Sequence, residues 1–398
     1  MRHAILVLAL LAACTVPKPE EKEASLAMKT YGDDLAFLRK HQEVIEISDP
    51  SGNARVAVVA EFQGRVMTST SGGPSGPSFG WINRDAIASK ERKPHINALG
   101  GEDRFWLGPE GGQFSIFFAP GDPFDLDHWQ TPQAIDWGPW EVVERSSSEV
   151  RFRKAIDLVN YSGTKLSLEA TRTVRIVASP ASEAEAVAYE SENTIKNTGD
   201  HAWTKDTGLL SIWILGMFNP SPSTTVVLPF VAGPEEERGP IVNDAYFGKV
   251  PADRLIVREG ALFFRGDGNH RSKIGISRKR AVPVMGSYDA DGSVLTLVEY
   301  TLPEGRTDYV NSMWEISETP YAGDVVNSYN DGPPAPGAKP LGPFYELESS
   351  SPAAALAPGE SLTHVHRTMH FRGPEPVLDA LVKKSLGVSI ADVVSVFE

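Results

Sequence analysis

More than ten short runs rich in Val, Ile, Leu, Thr and aromatic residues follow one another along the chain, each closed by Gly, Pro, Asn or Asp, with almost no long helical period between them. Segments of this kind bury an apolar face only by pairing edge to edge and stacking, so the chain is expected to be all-β. A hairpin signal opens the series. Glu43–Ile47 leads into the turn Ser48-Asp-Pro-Ser-Gly-Asn53, and a strand runs on from Ala54 to Met67. Further strands are expected at Val150–Leu158, Leu166–Ile176, Val187–Asn197, Leu209–Leu215, Thr224–Leu228, Ala261–Arg265, Val294–Tyr300, Asp308–Ile316, Phe344–Glu348 and Leu362–Phe371. No repeat of 20–50 residues is visible, which disfavours a propeller or β-helix. The Gly/Pro-rich stretch 333–343 sits between strand signals and reads as a loop. One large sandwich over residues 30–398 is therefore expected. Helical pattern is confined to the ends: Asp33–His41, with acids first and bases last, and Glu375–Leu386, closed by Gly387, with Ser389 an N-cap for a final turn.

Composition removes several functions. Of the 398 residues 41% are hydrophobic and 23% charged, enough for a sizeable core, and no apolar run reaches the roughly 20 residues needed to span a bilayer, so the body is expected to be soluble. A formal charge of -14 argues against nucleic acid as a partner. The single cysteine, Cys14, leaves no intramolecular disulfide and no thiolate zinc site. Gly73-Pro-Ser-Gly-Pro77 lacks the second glycine of a nucleophile elbow, and no Gly-x-x-x-x-Gly-Lys-Ser/Thr loop occurs, so neither serine-hydrolase nor nucleotide chemistry is expected, and no cofactor.

The N-terminus carries a short basic start (Arg2, His3), an apolar run Ala4–Leu11, and Leu11-Ala-Ala-Cys14, the grammar of a secretory signal. Leu-Ala-Ala-Cys resembles the lipobox of bacterial lipoproteins. That resemblance implies removal of residues 1–13, lipidation of Cys14, a polar, proline-containing tether over 14–29, and a membrane partner reached through acyl chains. Thr15 in place of Asp after the cysteine implies the outer membrane of the cell envelope, on its periplasmic or surface face, if the source is a diderm bacterium.

Three stretches resemble the galactose mutarotase-like superfamily: Glu61-Phe-Gln-Gly-Arg-Val-Met67, Leu99-Gly-Gly-Glu-Asp-Arg-Phe-Trp-Leu-Gly-Pro-Glu-Gly-Gly112, and Phe344-Tyr-Glu-Leu-Glu-Ser349 followed by Ala357-Pro-Gly-Glu-Ser-Leu362 and a His-containing strand. Their order spans Glu43 to Arg372 and is most similar to bacterial lipoprotein families of unknown function such as DUF6786 and DUF4380. The resemblance implies a β-supersandwich with short N- and C-terminal helices, and a sugar as its partner. Where epimerases of the superfamily carry a His-Pro pair, this chain has the inverted Pro94-His95.

Mutarotation needs a general acid and a general base across a sugar ring. Glu346 is the candidate base, and Glu348 shares its strand face by the two-residue period. His128 is the first candidate acid, with His95, His201 and His270 as others. It lies in a run containing Trp129, Trp137 and Trp140, rings suited either to stacking on sugar C–H faces or to packing over the sandwich mouth. Arg104, Trp106 and Glu110, between two glycine pairs, join Trp129 as candidate substrate contacts, together with Lys273, Asn327, Asn330 and Asp331. The Asn330-Asp331-Gly332 run reads first as a turn, and the segment before Lys273 as a hairpin tip. His364, His366 and His370 share one strand parity. They would ligate a metal only if a neighbouring strand added a carboxylate, and a polar face is preferred. Three readings stay open: a lipid-anchored carbohydrate-binding protein, an epimerase- or lyase-like enzyme, and a non-catalytic assembly protein of the envelope.

Overall fold

The computed structural model describes residues 29–398. The signal, the lipidation site Cys14 and all but the last residue of the tether lie outside the described residues. Three antiparallel sheets build the body. Ile45–Ser48, Arg55–Val59 and Arg65–Thr70 form a three-stranded meander at the entrance of the chain. A ten-stranded sheet runs, in spatial order, Leu255–Arg258, Ala261–Arg265, Thr224–Pro229, Val284–Asp289, Val294–Tyr300, Ser361–Arg372, Glu185–Asn197, Lys165–Ile176, Glu149–Val159 and Glu141–Arg145. A five-stranded sheet runs Ser272–Ser277, Asp324–Asn330, Tyr345–Ser350, Ser211–Phe218 and Arg104–Gly108.

The two larger sheets face each other. Alternation on the inner strands sends Leu347, Tyr345, Ile212, Ile214 and Phe105 into a core shared with Val226, Leu228, Phe264, Val298, Phe152 and Tyr189 of the ten-stranded sheet. On the far face of that sheet, Phe263, Leu297, Met369 and Phe371 are covered by the C-terminal helices Glu375–Leu386 and Ile390–Ser395 through Leu378, Val382, Leu386 and Val393. Gly387 closes the first of these helices at a φ of 74°, and Ser389 with Asp392 forms a capping box for the second, as the sequence requires. The N-terminal helix begins earlier than its apolar pattern, at Tyr31–His41, because the Thr30 hydroxyl caps the Asp33 amide.

The architecture is the expected all-β sandwich with terminal helices, and nine of the ten expected strand segments past residue 140 are present, Ala261–Arg265 and Val294–Tyr300 with the expected ends and seven with shifted ends. Asp308–Ile316 is the exception. It is irregular, held by the bridge of Tyr309 to Ala322, and it wraps over Gly108–Gly112, where a Cβ on Gly111 would lie 2.2 Å from the Met313 carbonyl oxygen. Its alternating aromatic and polar residues cover a loop and form no ladder. Conversely, Asp324–Asn330, Ser272–Ser277 and Arg104–Gly108 are strands although their sequences read as turns, a hairpin tip and a glycine-bounded connection.

Candidate functional site

The outer face of the five-stranded sheet is the floor of a cavity of about 400 Å³, within the ~300–1,000 Å³ usual for small-molecule sites. Register decides what meets there. Met217, Glu346, Tyr329 and Lys273 lie side by side across four strands, and Arg104, Leu215, Glu348 and Asn327 form the neighbouring row. Trp106 opposite Trp213 extends the floor. Loops raise the walls: His95 and Ile96, Glu110, Leu126, Asp127 and Trp129, Phe247, Trp314, and Asp331, Lys339 and Leu341 from the segment that leads to Phe344.

Two ion pairs sit on this floor. Arg104 Nη2 donates to Glu346 Oε1 at 3.0 Å, while its guanidinium stacks over the Trp106 ring at 4.1 Å. Lys273 Nζ and Trp213 Nε1 both donate to Glu348 Oε2 at 2.9 Å, and the ammonium lies 4.5 Å from the Trp213 ring centre. All of these groups are buried. Burial pushes the Glu346 carboxyl well above the usual carboxylate range; Arg104 opposes this and the like charge of Glu348 reinforces it. One guanidinium contact does not offset the loss of water. Burial likewise raises Glu110, against the pull of Lys273, and Asp331, against hydrogen bonds from Tyr329 and the Gly342 amide. Lys273 behaves in the opposite sense. Burial lowers it, but Glu348 and Glu110 outweigh burial and hold the ammonium above the ordinary lysine value.

Four of the chain's eight tryptophans, at 106, 129, 213 and 314, line the cavity. Trp129 stacks on Trp314 with centroids 6.0 Å apart, and Trp106 meets Trp213 edge-on at 5.6 Å. The result is a floor in which Trp106 and Trp213 flank the charged pairs, with Trp129 and Trp314 on the wall above it.

The structure therefore brings Glu346, Arg104, Trp106, Glu110, Trp129, Lys273 and Asp331 to one cavity. It does not bring all the candidates there. His128 lies outside the lining, exposed on its loop, with Nδ1 2.6 Å from Asp125 Oδ1, which raises its pKa by a surface hydrogen bond. The histidine on the wall is His95, whose Nδ1 lies 2.6 Å from the Trp129 carbonyl oxygen and is thus the protonated nitrogen, leaving Nε2 as the other functional atom. His201 and His270 are exposed and do not line the cavity either. Asn330 Nδ2 donates to the His270 carbonyl and Asp267, while its Oδ1 accepts the Gly268 amide, so its amide ties a loop down. Asn327 donates to the Ile274 carbonyl and the Tyr246 hydroxyl and does not line the cavity. Trp140 packs on Phe105 in the core, and Trp137 lies under Arg92.

His364 and His366 are buried on the inner side of the same floor, both at 2.8 Å from Ser349 Oγ. His370 lies between Thr296 Oγ1 and Glu102. Glu102 is also the acceptor for the Ser69 amide and hydroxyl and for Tyr189. These are packed polar layers. No group of three or more metal-ligating side chains is placed to hold an ion among the described residues.

Sequence reasoning missed Trp213, Arg271, Tyr329 and Trp314. For the first and third the signal was parity: Trp213, Leu215 and Met217 alternate, as do Asn327 and Tyr329, and pairing places both sets beside Glu346 and Glu348. Arg271 and Trp314 sit on irregular chain, where no period exists.

Comparison with known proteins places the fold in one class, the galactose mutarotase-like β-sandwiches. The chain aligns with a protein of Escherichia coli K12 provisionally named an aldose 1-epimerase, at a TM-score of 0.51 and 13% identity, over 82% of this chain and 98% of that one. It also aligns with a galactose mutarotase-like protein of Lactobacillus casei ATCC 334 at a TM-score of 0.48 and 10% identity, over 82% and 100%. No curated protein matches the sequence. The chain belongs to the family of unknown function DUF6786, whose model matches residues 29–397.

Proposed function

We propose that this protein binds a saccharide in the cavity over the five-stranded sheet. The observation that carries the reading is the combination of four lining indoles with two buried carboxylate–cation pairs on one floor. Sugar rings offer apolar C–H faces for the first and hydroxyls for the second, and neither a purely apolar ligand nor a bare ion uses both. The leader sequence supports an anchored, extracytoplasmic setting for this binding, with Cys14 lipidated and the body held at the cell envelope by a tether. Titration of the full chain against a glycan array and free monosaccharides tests the reading: saturable binding that Glu346→Gln weakens about tenfold is expected. Failure of every sugar would leave the assembly role.

A second reading, mutarotation, is favoured by the wall histidine. With Glu346 held toward its neutral form and the ring proton of His95 on Nδ1, the expected roles exchange: His95 Nε2 would take the proton of the anomeric hydroxyl while the Glu346 carboxyl gives one to the ring oxygen, and both transfers reverse on ring closure. Polarimetry of fresh α-anomers checks it: a catalysed approach to equilibrium lost in both Glu346→Gln and His95→Gln supports catalysis, and an unchanged rate confines the site to binding.

A further inference from the structure

The cavity is rich in donors without partners. Arg104, 2% exposed, uses only Nη2 toward Glu346; its Nε and Nη1 have no partner in the protein. The indole Nε1 atoms of Trp106 and Trp129 are buried without an acceptor as well. Arg271 stacks its guanidinium 3.8 Å over the Phe247 ring beside the Tyr329 hydroxyl, and it forms no ion pair with a described residue. Lys339 stands unpaired and exposed at the mouth in the same sense. Some acceptors are engaged, whereas Glu348 Oε1 is buried without a donor and the exposed Asp127 carboxylate stands at the rim. Both Asp331 oxygens receive hydrogen bonds, from Tyr329 and the Gly342 amide, and Glu346 Oε1 receives Arg104. Buried donors left without acceptors cost about 1–3 kcal/mol each, so a complement to this wall must bring acceptors with it.

Charge points the same way. Burial drives Glu346, Glu110 and Asp331 toward their neutral forms, which leaves Asp127 at the rim as the lining anion against the side chains of Arg104, Arg271 and Lys339, so the cavity is more cationic than its list of side chains implies. This occurs in a chain whose overall formal charge is -14, so the local excess is built against the global field.

We infer that the ligand is an acidic saccharide, a hexuronate or a short glycan ending in one, whose ring lies against the tryptophan wall and whose carboxylate meets Arg271 and the unpartnered edge of Arg104. The inference rests on the saccharide reading and narrows its substrate class. A guanidinium stacked on an aromatic ring is pre-oriented for planar bidentate contact with a carboxylate, which an ammonium is not.

The test is calorimetric titration of the full chain with D-glucuronate, D-galacturonate, D-glucose, D-galactose, glucose 6-phosphate and acetate. The uronates are expected to bind at least tenfold more tightly than their parent hexoses, with the gap narrowing as salt is raised. Arg271→Gln should abolish the gap and Lys339→Gln should reduce it two- to threefold, with denaturation midpoints of both variants unchanged from the wild type. Equal affinity for hexoses and uronates overturns the acidic assignment and leaves the saccharide site standing. Tighter binding of glucose 6-phosphate than of either uronate overturns the carboxylate in favour of phosphate. Acetate binding as well as the uronates, or no binding by any sugar, overturns the saccharide reading itself. An Arg271→Gln that shifts the midpoint is replaced by Arg271→Lys, which keeps charge and removes the planar fork; a retained gap in that variant contradicts bidentate recognition.

Discussion

The strand Tyr345–Ser350 buries polar groups on both faces, and the two faces solve the problem differently. On the inner face Ser349 stands between His364 and His366, where burial pulls the two imidazoles down to about 3 and about 4 and keeps them neutral. On the outer face Glu346 and Glu348 meet Arg104, Lys273 and Trp213. The inner layer is closed by the ten-stranded sheet, and the charges nearest to it are matched: Arg172 donates to Asp103 at 2.6 Å and also to Asn193 and two backbone carbonyls. The outer layer keeps guanidinium and indole donors without acceptors and opens onto a cavity. Closed burial with its charges matched specifies a fold, even where His364 Nδ1 and His366 Nε2 keep no partner, and unpartnered donors beside an open cavity mark a place where something binds.

That contrast breaks most sharply at Arg172. Replacing it by Met strands the Asp103 carboxylate in a fully buried site, and a loss of about 3–5 kcal/mol in urea denaturation is expected. An outer-face change of the same kind, Glu346→Gln, should move stability at neutral pH by less than about 1.5 kcal/mol, since the protein already disfavours the charged carboxyl there.

The two faces also titrate with opposite signs. His366 has a folded pKa below its ordinary 6.5, so the stability tied to it is complete above about 6.5 and is lost as pH falls toward 4. Glu346 has a folded pKa above its ordinary 4.5, so its contribution is complete below 4.5 and is lost as pH rises through the raised value. Denaturation at a series of pH values should show His366→Gln losing less stability than the wild type on acidification, by up to about 1.4 kcal/mol per pH unit below 6.5. Glu346→Gln should lack the gain that the wild type makes on acidification. Parallel wild-type and variant curves would contradict the assignment of either face.

Much of the fold was legible because the inner faces obey a simple rule. Val, Ile, Leu and aromatic residues at every second position, closed by Gly, Pro or Asn, gave nine of the ten segments beyond residue 140, and Ser389 and Gly387 marked helix ends with caps that have a fixed chemistry. The strands that build the site were the ones hidden. Ser272-Lys-Ile-Gly-Ile-Ser277 and Asp324-Val-Val-Asn-Ser-Tyr-Asn330 place polar residues on a face that looks into a cavity, so their alternation resembles loop sequence. Arg104–Gly108 was masked by its glycines. Gly100 needs a φ of 90° and a missing side chain, since a Cβ there would lie 2.1 Å from the Trp81 carbonyl oxygen. Glu346 was legible from parity and resemblance together, whereas the step from His128 to His95 needed the path of two loops through space. No local pattern encodes that path.

Smaller effects refine the outer face. Trp129→Ala removes one stacked ring and should weaken saccharide binding about tenfold, at the upper end of the about 0.5–1.5 kcal/mol an aromatic contact contributes. His128→Ala, out on the exposed loop with Asp125, should leave affinity within about twofold, the size of a surface change. A large loss in the second variant with none in the first would reverse the placement of the site.

The central claim is that the open face of the five-stranded sheet is a saccharide site, and tryptophan emission of the full chain during titration with a panel of neutral and acidic monosaccharides tests it most directly. Four of eight indoles line the cavity, so a saturable change in emission is predicted for the wild type, with its midpoint moved to about tenfold higher sugar concentration in a cooperatively folded Glu346→Gln. No change in emission with any sugar at millimolar concentration, from protein that unfolds cooperatively, would contradict it.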